Sequence, residues 1–522
     1  MTESAGLYER VLAAGGGQLS PARAPRPSAA VVLWRRNAYG EVELYWLERG
    51  RSLPFMAGWH AFPGGALEKD DAIAPIAGTP KDLDATGWTA ASADAAEAPA
   101  EPDLLPGLAA GALRELAEET GVRPLRDGLP DAGRLVFAGR WLTPPFTPVR
   151  FDNRFFLLAW RAADGEAKAV PPESERGEWI RPAVALAKIE RAAVLVAPPI
   201  LHLVRGLAEG GPEEPETLRR LRDTAECNLG PLRRIELRPG ILTFPLAAAT
   251  LPPATHTNCF LLGSHEAVLI DPGSPFPVVQ EALTAALREC ARRLGRRPSA
   301  IWLSHHHPDH VAGVEAARRA LDLPVFAHPA TARRLRERGI AVDGELHDEQ
   351  RVELAGGAGE PPFAIRILHT PGHARGHLAF AVEGAGDILA GDLVAGFGTI
   401  VIDPPEGDMT SYLAALERLR ARSPRTLFVS HGAPFVDAAA KLDEFVRHRL
   451  NREAQIFSAW SERGLREPAA FVPEVYPELA PAARPLAERQ IVAHLLRLAE
   501  LGRISTGSSF SSSSTRSGSI AT

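Results

Sequence analysis

The amino-acid sequence predicts a multidomain protein of the α/β and α+β classes. Its 522 residues suggest about three domains, because a domain typically takes roughly 150 residues. Strand-like runs and helical patterns fill two long stretches of the chain. A charged segment that contains Gly and Pro, at 210–238, separates these two stretches and predicts a domain boundary.

The composition is that of a soluble globular protein, with 45% hydrophobic and 23% charged residues. A formal net charge of −6 gives no global attraction to nucleic acid or to an anionic membrane. Three distant cysteines, Cys227, Cys259 and Cys290, argue against a disulfide scaffold and favour a reducing compartment. Without a signal-peptide pattern or an apolar run of about 18 residues, we expect a cytoplasmic protein with no membrane partner.

The first stretch is predicted to form one domain at 27–208, after an irregular N-terminus at 1–26. Residues 72–106 are rich in Ala, Pro, Asp and Glu and lack periodicity, which predicts an insertion loop. Strands are expected at 29–34, 42–48, 135–141 and 154–160, and helices at about 107–120, 182–193 and 198–209. A linker at 209–238 follows.

The second stretch alternates short strands with helices from residue 240 onward, which predicts a layered α/β domain at 239–436. Its clearest helical pattern covers 277–294. A further helical domain is expected at 437–504, and the Ser-rich tail at 505–522 is predicted to be disordered.

Ten of the 16 histidines fall between residues 305 and 431. The run SHHHPDH follows the apolar residues 301–303, so that the end of a strand would deliver His305 and His307 on one side. The next turn supplies Asp309 and His310. Imidazole and carboxylate groups are the ligands expected for Zn²⁺, Mn²⁺ or Fe.

Three more candidate ligands follow apolar runs or a tight turn. His373 lies in HTPGH, Asp392 follows the run 388–391, and His431 follows the run 427–430. Side chains at the ends of several strands are expected to converge on one edge of a sheet sandwich.

Taken in order, HxHxDH, HTPGH, AGD and SHG resemble the metallo-β-lactamase superfamily over about 240–435. The resemblance implies an αββα sandwich with two metal ions, Zn²⁺ or else Mn²⁺ or Fe, which activate the attacking water. It implies that one metal is held by His305, His307 and His373, and the other by Asp309, His310 and His431. Asp392 would bridge them, Asp309 would also be catalytic, and Asp271 in LIDPG would orient a ligand histidine.

Two further histidines lie within this pattern. His306 occupies its variable position, so we expect it only to pack or to face solvent. For His377, in GHARGH, contact with substrate and a structural role remain alternatives.

The segments 255–263, 448–457 and 487–504 resemble the small endoribonuclease-like lactamase branch, which closes with a winged helix. Glyoxalase II-type thioesterases share the metal pattern, so single-stranded RNA and a thioester both remain candidate substrates. The alternative for 487–504 is a packed amphipathic helix, because Ile491, Leu495 and Leu498 recur at helical spacing.

A different cluster lies in the first domain, in GALRELAEETGV at 111–122. Glu115, Glu118 and Glu119 are spaced i, i+3 and i+4, which predicts three carboxylates on one helix face. Adjacent like charges of this kind favour a hard cation such as Mg²⁺ or Mn²⁺. The alternative is a solvated helix face that binds no metal.

The intact REL-x-EE-x-G pattern resembles the Nudix hydrolases, whose fold is an α/β/α sandwich, over about 27–208. FPGGALEKDD at 62–71 matches the upstream half, although Asp71 stands where a glutamate is usual and 42 residues replace a seven-residue gap. Residues 141–160 resemble a branch that includes acyl-CoA diphosphatases. The resemblance implies metal binding by Glu115, Glu118 and Glu119, with Glu118 and Glu119 catalytic.

The sequence thus predicts a bifunctional metal-dependent hydrolase with two independent sites. Its partners would be a nucleotide or CoA-type small molecule and, for the second domain, a thioester or RNA; no oligomeric state is inferred. In one alternative, both domains act on CoA thioesters. In the other, the Nudix part is a ligand sensor and the winged helix binds nucleic acid.

Overall fold

The computed structural model describes residues 24–51, 53, 56–81, 104–143, 150–191, 193–222, 235–251, 254–396, 398–479 and 483–505. The predicted Ser-rich tail beyond residue 505 and most of the predicted insertion lie outside the described residues. Within the described part of the chain, no helix combines the length and the apolar character that crossing a bilayer requires.

The first domain is built on a seven-stranded sheet with the order β3-β2-β1-β8-β7, to which β4 and β9 add by pairing with β1 and β2. A separate hairpin consists of β5 and β6. The strands are β1 (Arg26–Arg36), β2 (Val42–Arg49), β3 (His60–Ala61), β4 (Gly64–Ala66), β5 (Leu125–Arg126), β6 (Leu129–Pro130), β7 (Val136–Leu142), β8 (Phe151–Ala159) and β9 (Ser174–Ile180). The helices are α1 (Leu105–Thr120), α2 (Pro182–Glu190), α3 (Pro198–Glu209) and α4 (Pro215–Arg222).

Helices cover both faces of this sheet, because its central strands are apolar on both sides. Along β1, Val31 and Leu33 pack against α1, whereas Val32 and Trp34 belong to the core beneath α2, α3 and α4. The parallel pairing of β1 with β8 aligns nine consecutive residue pairs. This α/β/α layering places the glutamate-bearing helix α1 directly on the sheet.

The segment predicted as a linker at 209–238 contains two folded elements. Helix α4 lies inside it, and its Leu218 and Leu221 are buried in the core of the first domain. Its last residues, 235–238, form a strand of the second domain. Because α4 is rich in charged residues, its composition does not reveal the narrow apolar face that is buried.

The predicted insertion loop also has structure at both ends. Residues 70–73 form a short 3-10 helix, and isolated bridges join Ala77 to Asp131 and Lys81 to Val136. Helix α1 begins at Leu105, inside the predicted loop.

The second domain contains two sheets, with the orders β10-β11-β12-β13-β14-β15-β16 and β17-β18-β19-β20-β21. The strands are β10 (Ile235–Arg238), β11 (Ile241–Ala247), β12 (His256–Leu262), β13 (Glu266–Ile270), β14 (Arg297–Leu303), β15 (Val325–Ala327), β16 (Gly344–Glu345), β17 (Arg351–Leu354), β18 (Phe363–His369), β19 (Leu378–Val382), β20 (Asp387–Leu389) and β21 (Thr426–Phe428). The helices are α5 (Pro277–Leu294), α6 (Pro308–Val311), α7 (Val314–Leu321), α8 (Pro329–Glu337) and α9 (Met409–Ala421).

These elements form four layers. Trp302 and Phe260 of the first sheet meet Phe380 and Phe428 of the second in a shared inner core. The outer face of the first sheet packs against α5 and α7, and the outer face of the second packs against α9. The arrangement is the αββα sandwich that the sequence predicts.

Three helices complete the described chain: α10 (Ala438–Arg463), α11 (Pro468–Val475) and α12 (Arg484–Glu500). Helix α10 belongs to two cores, because Leu442 and Phe445 pack on the sandwich while Ile456 and Trp460 pack with α11 and α12. The predicted boundary at 437 therefore coincides with the start of a helix that ties the C-terminal helices to the sandwich.

The first domain contacts the sandwich through the segment after β2. The indole Nε1 of Trp59 donates to the carbonyl of Pro434 at 3.3 Å. Arg51 forms an ion pair with Asp437 at 2.7 Å. Both contacts fall on the segment 432–437, which directly follows His431.

Candidate metal centre and carboxylate cluster

The predicted ligands are delivered at one edge of the sandwich. Strand β14 ends at Leu303, so that the residues 305–310 leave from its carboxyl end. Strands β18 and β20 both run antiparallel to β19, and β21 runs parallel to β20. Their carboxyl ends therefore share an edge, and the segments that follow them supply His373, Asp392 and His431.

Asp392 lies at the middle of this group. Its Oδ2 is 3.5 Å from His373 Nε2, while its Oδ1 is 3.5 Å from both His310 Nε2 and His431 Nε2. Asp309 Oδ2 is 3.6 Å from His431 Nε2. One carboxylate thus faces two groups of histidines, which is the geometry of a bridge between two cations.

The structure brings together all seven predicted ligands as buried side chains. Ligand atoms of three groups lie within 4.8 Å of one another. The groups are His305, His307 and His373; Asp309, His310 and His431; and His305, His310 and Asp392. The first two groups are the two ligand sets that the sequence predicts.

Hydrogen bonds at Nδ1 direct the opposite nitrogen of several rings inward. Because a carbonyl only accepts, His373 Nδ1 donates to Val401 O at 2.7 Å and His431 Nδ1 donates to His256 O at 3.0 Å. Each Nε2 then keeps its lone pair for a cation.

Asp271 and Ser304 impose the same tautomer on two more histidines. The carboxylate of Asp271 accepts from His310 Nδ1 at 2.9 Å and from the Ser304 hydroxyl at 2.5 Å. Since that hydroxyl donates to Asp271, its oxygen accepts from His305 Nδ1 at 2.9 Å. The structure therefore places Asp271 where it orients His310 directly and His305 through Ser304.

Buried polar atoms test whether this site fits a metal. Six buried ligand atoms of the site make no hydrogen bond. They are the Nε2 atoms of His305, His310 and His431, both carboxylate oxygens of Asp309, and Oδ1 of Asp392. Unsatisfied buried groups are costly, so a cluster of them needs a partner. Neutral imidazoles and carboxylates that point at one another suit divalent transition metals.

The electrostatics of the group agree with that fit. Burial opposes a charge on His310, but the carboxylates of Asp392 and Asp309 outweigh it and hold its pKa well above the ordinary value. Burial likewise opposes ionisation of Asp392, yet His431 and His310 keep its pKa well below the usual range. The site therefore favours positive charge between its carboxylates, which a divalent cation would supply.

The structure distinguishes the alternatives for two other histidines. His377 is fully buried, and its Nε2 accepts from the backbone N–H of Asp392 at 3.0 Å, while Thr370 contacts its Nδ1 at 2.8 Å. It thus positions Asp392, as the structural alternative requires. His306 is also fully buried and packs edge-on against its neighbour His305, so it does not face solvent.

Asn258 is a functional position that the sequence reasoning did not single out. Its side-chain amide donates to Val429 O and Gly432 O at 2.8 Å each, and its backbone N–H donates to Ser430 O at 2.7 Å. These bonds hold the turn that carries His431. In the sequence, Asn258 is marked only by its place directly before the apolar run 259–262 of strand β12.

Two glycines permit the close approach of the ligand segments. A Cβ at Gly273 would lie 1.7 Å from the carbonyl oxygen of Asp309, and one at Gly372, where φ is +138°, would lie 2.3 Å from Tyr412 Cα. Glycine is therefore required on both sides of the site.

A separate carboxylate cluster lies in the first domain. Ligand oxygens of Glu115, Glu119 and Glu173 come within 4.8 Å of one another. Burial raises the pKa of Glu119 to about 8, with the Gly64 N–H opposing this shift and the nearby Glu115 adding to it. Glu173 was missed, because the loop that carries it lies more than 50 residues from the helix.

Glu118 does not join this cluster. Its side chain is 57% exposed and pairs with Arg114 at 2.9 Å. Arg114 Nη1 also donates to Glu115 at 3.1 Å, so Glu118 lies beside Glu115 on the helix. A metal-binding role for Glu118 stays a prediction.

Asp71 binds the first residue of the REL-x-EE-x-G pattern. Its two oxygens accept from Nε and Nη2 of Arg114 at 2.9 Å each, and the Asp71 side chain is buried. This bidentate pair joins the two halves of the motif across the insertion and orients α1.

Two protein-family models match segments of the second half of the chain. Residues 252–431 match the family described as the metallo-beta-lactamase superfamily, and 468–512 match the beta-lactamase associated winged helix domain. A beta-lactamase-like protein 2 homolog of Drosophila melanogaster is 29% identical over 258 residues, covering 48% of this chain and 84% of the relative. An atrochrysone carboxyl ACP thioesterase of Aspergillus chevalieri is 32% identical over 210 residues, covering 40% of this chain and 61% of the relative.

Solved structures give weaker likenesses, each of which covers part of the chain. A metallo-beta-lactamase family protein from Thermus thermophilus is 25% identical and covers 51% of this chain and 96% of its own, with a TM-score of 0.41. A NUDIX hydrolase from Alicyclobacillus acidocaldarius is 26% identical and covers 36% of this chain and 92% of its own, with a TM-score of 0.30.

The predicted lactamase fold and the predicted winged helix are confirmed by the family matches and the layered structure. Relatives of this fold are hydrolases, and the His/Asp cluster supplies the ligands for a divalent metal. The chain therefore contains a metal-dependent hydrolase domain with the metallo-β-lactamase fold, followed by a region that matches the β-lactamase-associated winged helix.

Proposed function

We propose that the second domain is a two-metal hydrolase that cleaves a thioester. The observation that carries the proposal is the position of Asp392 between two sets of buried ligands, 3.5 Å from histidines of each. In this proposal His305, His307 and His373 would hold one metal, Asp309, His310 and His431 would hold the other, and Asp392 would be a ligand common to both. Histidine-rich ligation favours Zn²⁺ or a similar ion.

When bound, such metals supply Lewis acidity and bring the pKa of a water molecule toward neutrality. The protein's own contribution is orientation. Hydrogen bonds to Nδ1 keep the Nε2 lone pairs of His373 and His431 directed inward. Asp309, whose two carboxylate oxygens are buried without hydrogen bonds, orients the attacking water and accepts its proton.

The thioester assignment is supported by the 32% identical carrier-protein thioesterase. RNA is the second candidate, and the match to a winged helix favours it. Two cations of helix α12 are committed to internal ion pairs, Arg489 with Asp403 and Arg497 with Glu453. These pairs leave that helix less positive charge for phosphates, so the thioester is preferred.

A direct test compares hydrolysis of a panel of acyl-CoAs with cleavage of single-stranded RNA by the metal-loaded full chain. Asp309→Ala is the control for activity of this site. We expect acyl-CoA turnover that this substitution abolishes, together with about two metal ions per chain in the wild type. RNA cleavage without thioester turnover would reverse the preference. A wild-type chain that retains no metal and is still active would contradict the two-metal centre.

For the first domain we propose Mg²⁺- or Mn²⁺-dependent hydrolysis of a diphosphate in a nucleotide or CoA derivative. The supporting observation is the cluster of Glu115, Glu119 and Glu173, whose mutual repulsion a hard cation would relieve. The Asp71–Arg114 pair fixes the helix that carries two of these residues. A bidentate contact of this kind suits a catalytic helix that must hold a fixed position.

The rival for this domain is a ligand sensor without turnover. Release of nucleoside monophosphate or phosphopantetheine from nucleotide sugars and CoA, measured with and without Mg²⁺, separates the two. Binding without product in the presence of Mg²⁺ would favour the sensor.

A further inference from the structure

The orientation of His373 depends on one backbone segment, residues 398–408, which we call the ligand-support loop. This loop connects the short helix at 391–393 to α9. Its Val401 carbonyl accepts the hydrogen bond from His373 Nδ1 at 2.7 Å. That bond sets the ring so that Nε2 lies 3.5 Å from Asp392 Oδ2. A displacement of the loop would therefore turn the ring away from the metal position.

The ligand-support loop is held from the C-terminal helices. The carbonyl of Ile400, adjacent to Val401, accepts from a guanidinium nitrogen of Arg449 in α10 and from Gln490 Nε2 in α12 at 3.4 Å. Arg449 also donates to Gln490 Oε1 at 3.2 Å. The exposed fractions are 1% for Arg449 and 5% for Gln490. A guanidinium buried this deeply is costly unless its contacts are specific.

Two additional contacts tie the same helices to the site. Arg489 Nε donates to Asp403 Oδ1, in the ligand-support loop, at 2.5 Å. The Arg449 guanidinium lies 5.2 Å from the centre of the Tyr412 ring. The Tyr412 hydroxyl donates to Leu393 O, beside Asp392, at 2.6 Å. The C-terminal helices thus reach the segments that support two candidate ligands.

We propose that Arg449 and Gln490 are positioning residues for the metal ligand His373. The C-terminal helices then complete the hydrolase site, whatever else the winged helix binds. The inference rests on the proposed two-metal centre. Partners that orient a metal ligand typically contribute 10- to 100-fold to metal affinity, so their loss should weaken the metal held by His305, His307 and His373.

The experiment uses full-length Arg449→Lys and Gln490→Ala. Arg497→Lys is the matched control, because it also exchanges a guanidinium for an ammonium in the interface of α10 and α12. Arg497 pairs with Glu453 and not with the ligand-support loop. Zinc affinity is measured by competition with a chromophoric chelator, the ligand field by the absorption spectrum of the cobalt-substituted protein, and folding by thermal unfolding.

We expect one of the two metal ions to bind about 10- to 100-fold more weakly in Arg449→Lys and in Gln490→Ala. Their cobalt spectra should change, whereas Arg497→Lys should keep wild-type values. Wild-type affinity for both metals in Gln490→Ala, or an equal loss in Arg497→Lys, would overturn the inference. Gln490→Ala decides the question if Arg449→Lys does not fold. A wild-type chain that binds no metal would instead refute the proposed two-metal centre.

Discussion

Asp271 accepts a hydrogen bond from His310 Nδ1 at 2.9 Å, and both side chains are buried. The same carboxylate accepts from the backbone N–H of Ser304 at 2.8 Å and from its hydroxyl at 2.5 Å. Three donors therefore converge on two oxygens, and one side chain determines which nitrogen of two histidines carries the proton.

Replacing Asp271 by Asn tests this relationship. Asparagine offers one acceptor oxygen and two donor hydrogens, so it cannot satisfy all three donors, and His310 should lose its fixed tautomer. We expect Asp271→Asn to lower metal affinity and turnover about 10- to 100-fold. Metal affinity is measured by chelator competition. Asp387→Asn, at another buried carboxylate that pairs with Arg238, is the control and should bind metal normally.

The carboxylate cluster predicts different consequences for two neighbouring glutamates. Glu119→Gln should remove most of the Mg²⁺-dependent diphosphatase activity, because Glu119 is a buried member of the cluster. Glu118→Gln should have a smaller effect, because Glu118 is exposed and paired with Arg114. Turnover is measured across Mg²⁺ concentrations, with circular dichroism as the check on folding. Equal loss in both variants would restore Glu118 as a ligand, and no loss in either would favour the solvated helix face.

We expect the hydrolytic activity of each site to be independent of the other site, although the two domains are in contact. Each group of candidate ligands lies within a single domain. Asp309→Ala should therefore stop thioester or RNA hydrolysis and leave diphosphate hydrolysis at the wild-type rate. Both activities are assayed on the same preparation. Loss of both in a variant that stays folded would show that the sites are coupled, and the contact of Trp59 with Pro434 would then be the first to test.

His60 should make the first domain sensitive to acid. Burial lowers the pKa of His60 from 6.5 to about 4, so that the unfolded chain binds a proton at pH 5 while the folded chain does not. The contribution of His60 to stability should be nearly intact above pH 6.5 and should be lost as the pH falls toward 4, by about 2 kcal/mol at pH 5.

His60→Phe keeps the ring packing on Trp46, whose centroid lies 4.6 Å away, and removes the titration. Urea unfolding at pH 7 and pH 5 should therefore show a smaller loss in this variant than in the wild type. His347→Phe, at a side chain that is 61% exposed, is the control and should lose as much as the wild type. An undiminished loss in His60→Phe would contradict the assignment to His60.

The sequence predicts local relationships well. The order and spacing of His305, His307, Asp309 and His310 follow from one strand end and one turn, and the family matches confirm the fold that they imply. The helix limits of 277–294 agree with the structure, because the apolar period there is regular.

Long-range partners were not predictable from one sequence. Glu173 reaches the glutamate cluster from a distant loop, and Asn258 reaches the turn of His431 across more than 170 residues. Which face of α1 is buried depends on its contact with the sheet, so Glu118 could not be separated from Glu119 by spacing alone. The short helix α4 escaped detection because its buried leucines are few among many charges.

The ion pair of Asp71 with Arg114 has a consequence for how this chain could change length. The two residues stand at the ends of a 42-residue span, so their bidentate contact closes that span as a loop. The entropic cost of joining the two ends of a chain segment grows only with the logarithm of its length, so added residues between these anchors should cost little, about 0.6 kcal/mol for each doubling. Residues can therefore be gained or lost between these anchors at little cost, because the contact of Asp71 with Arg114 would hold the glutamate-bearing helix in place whatever the length between them.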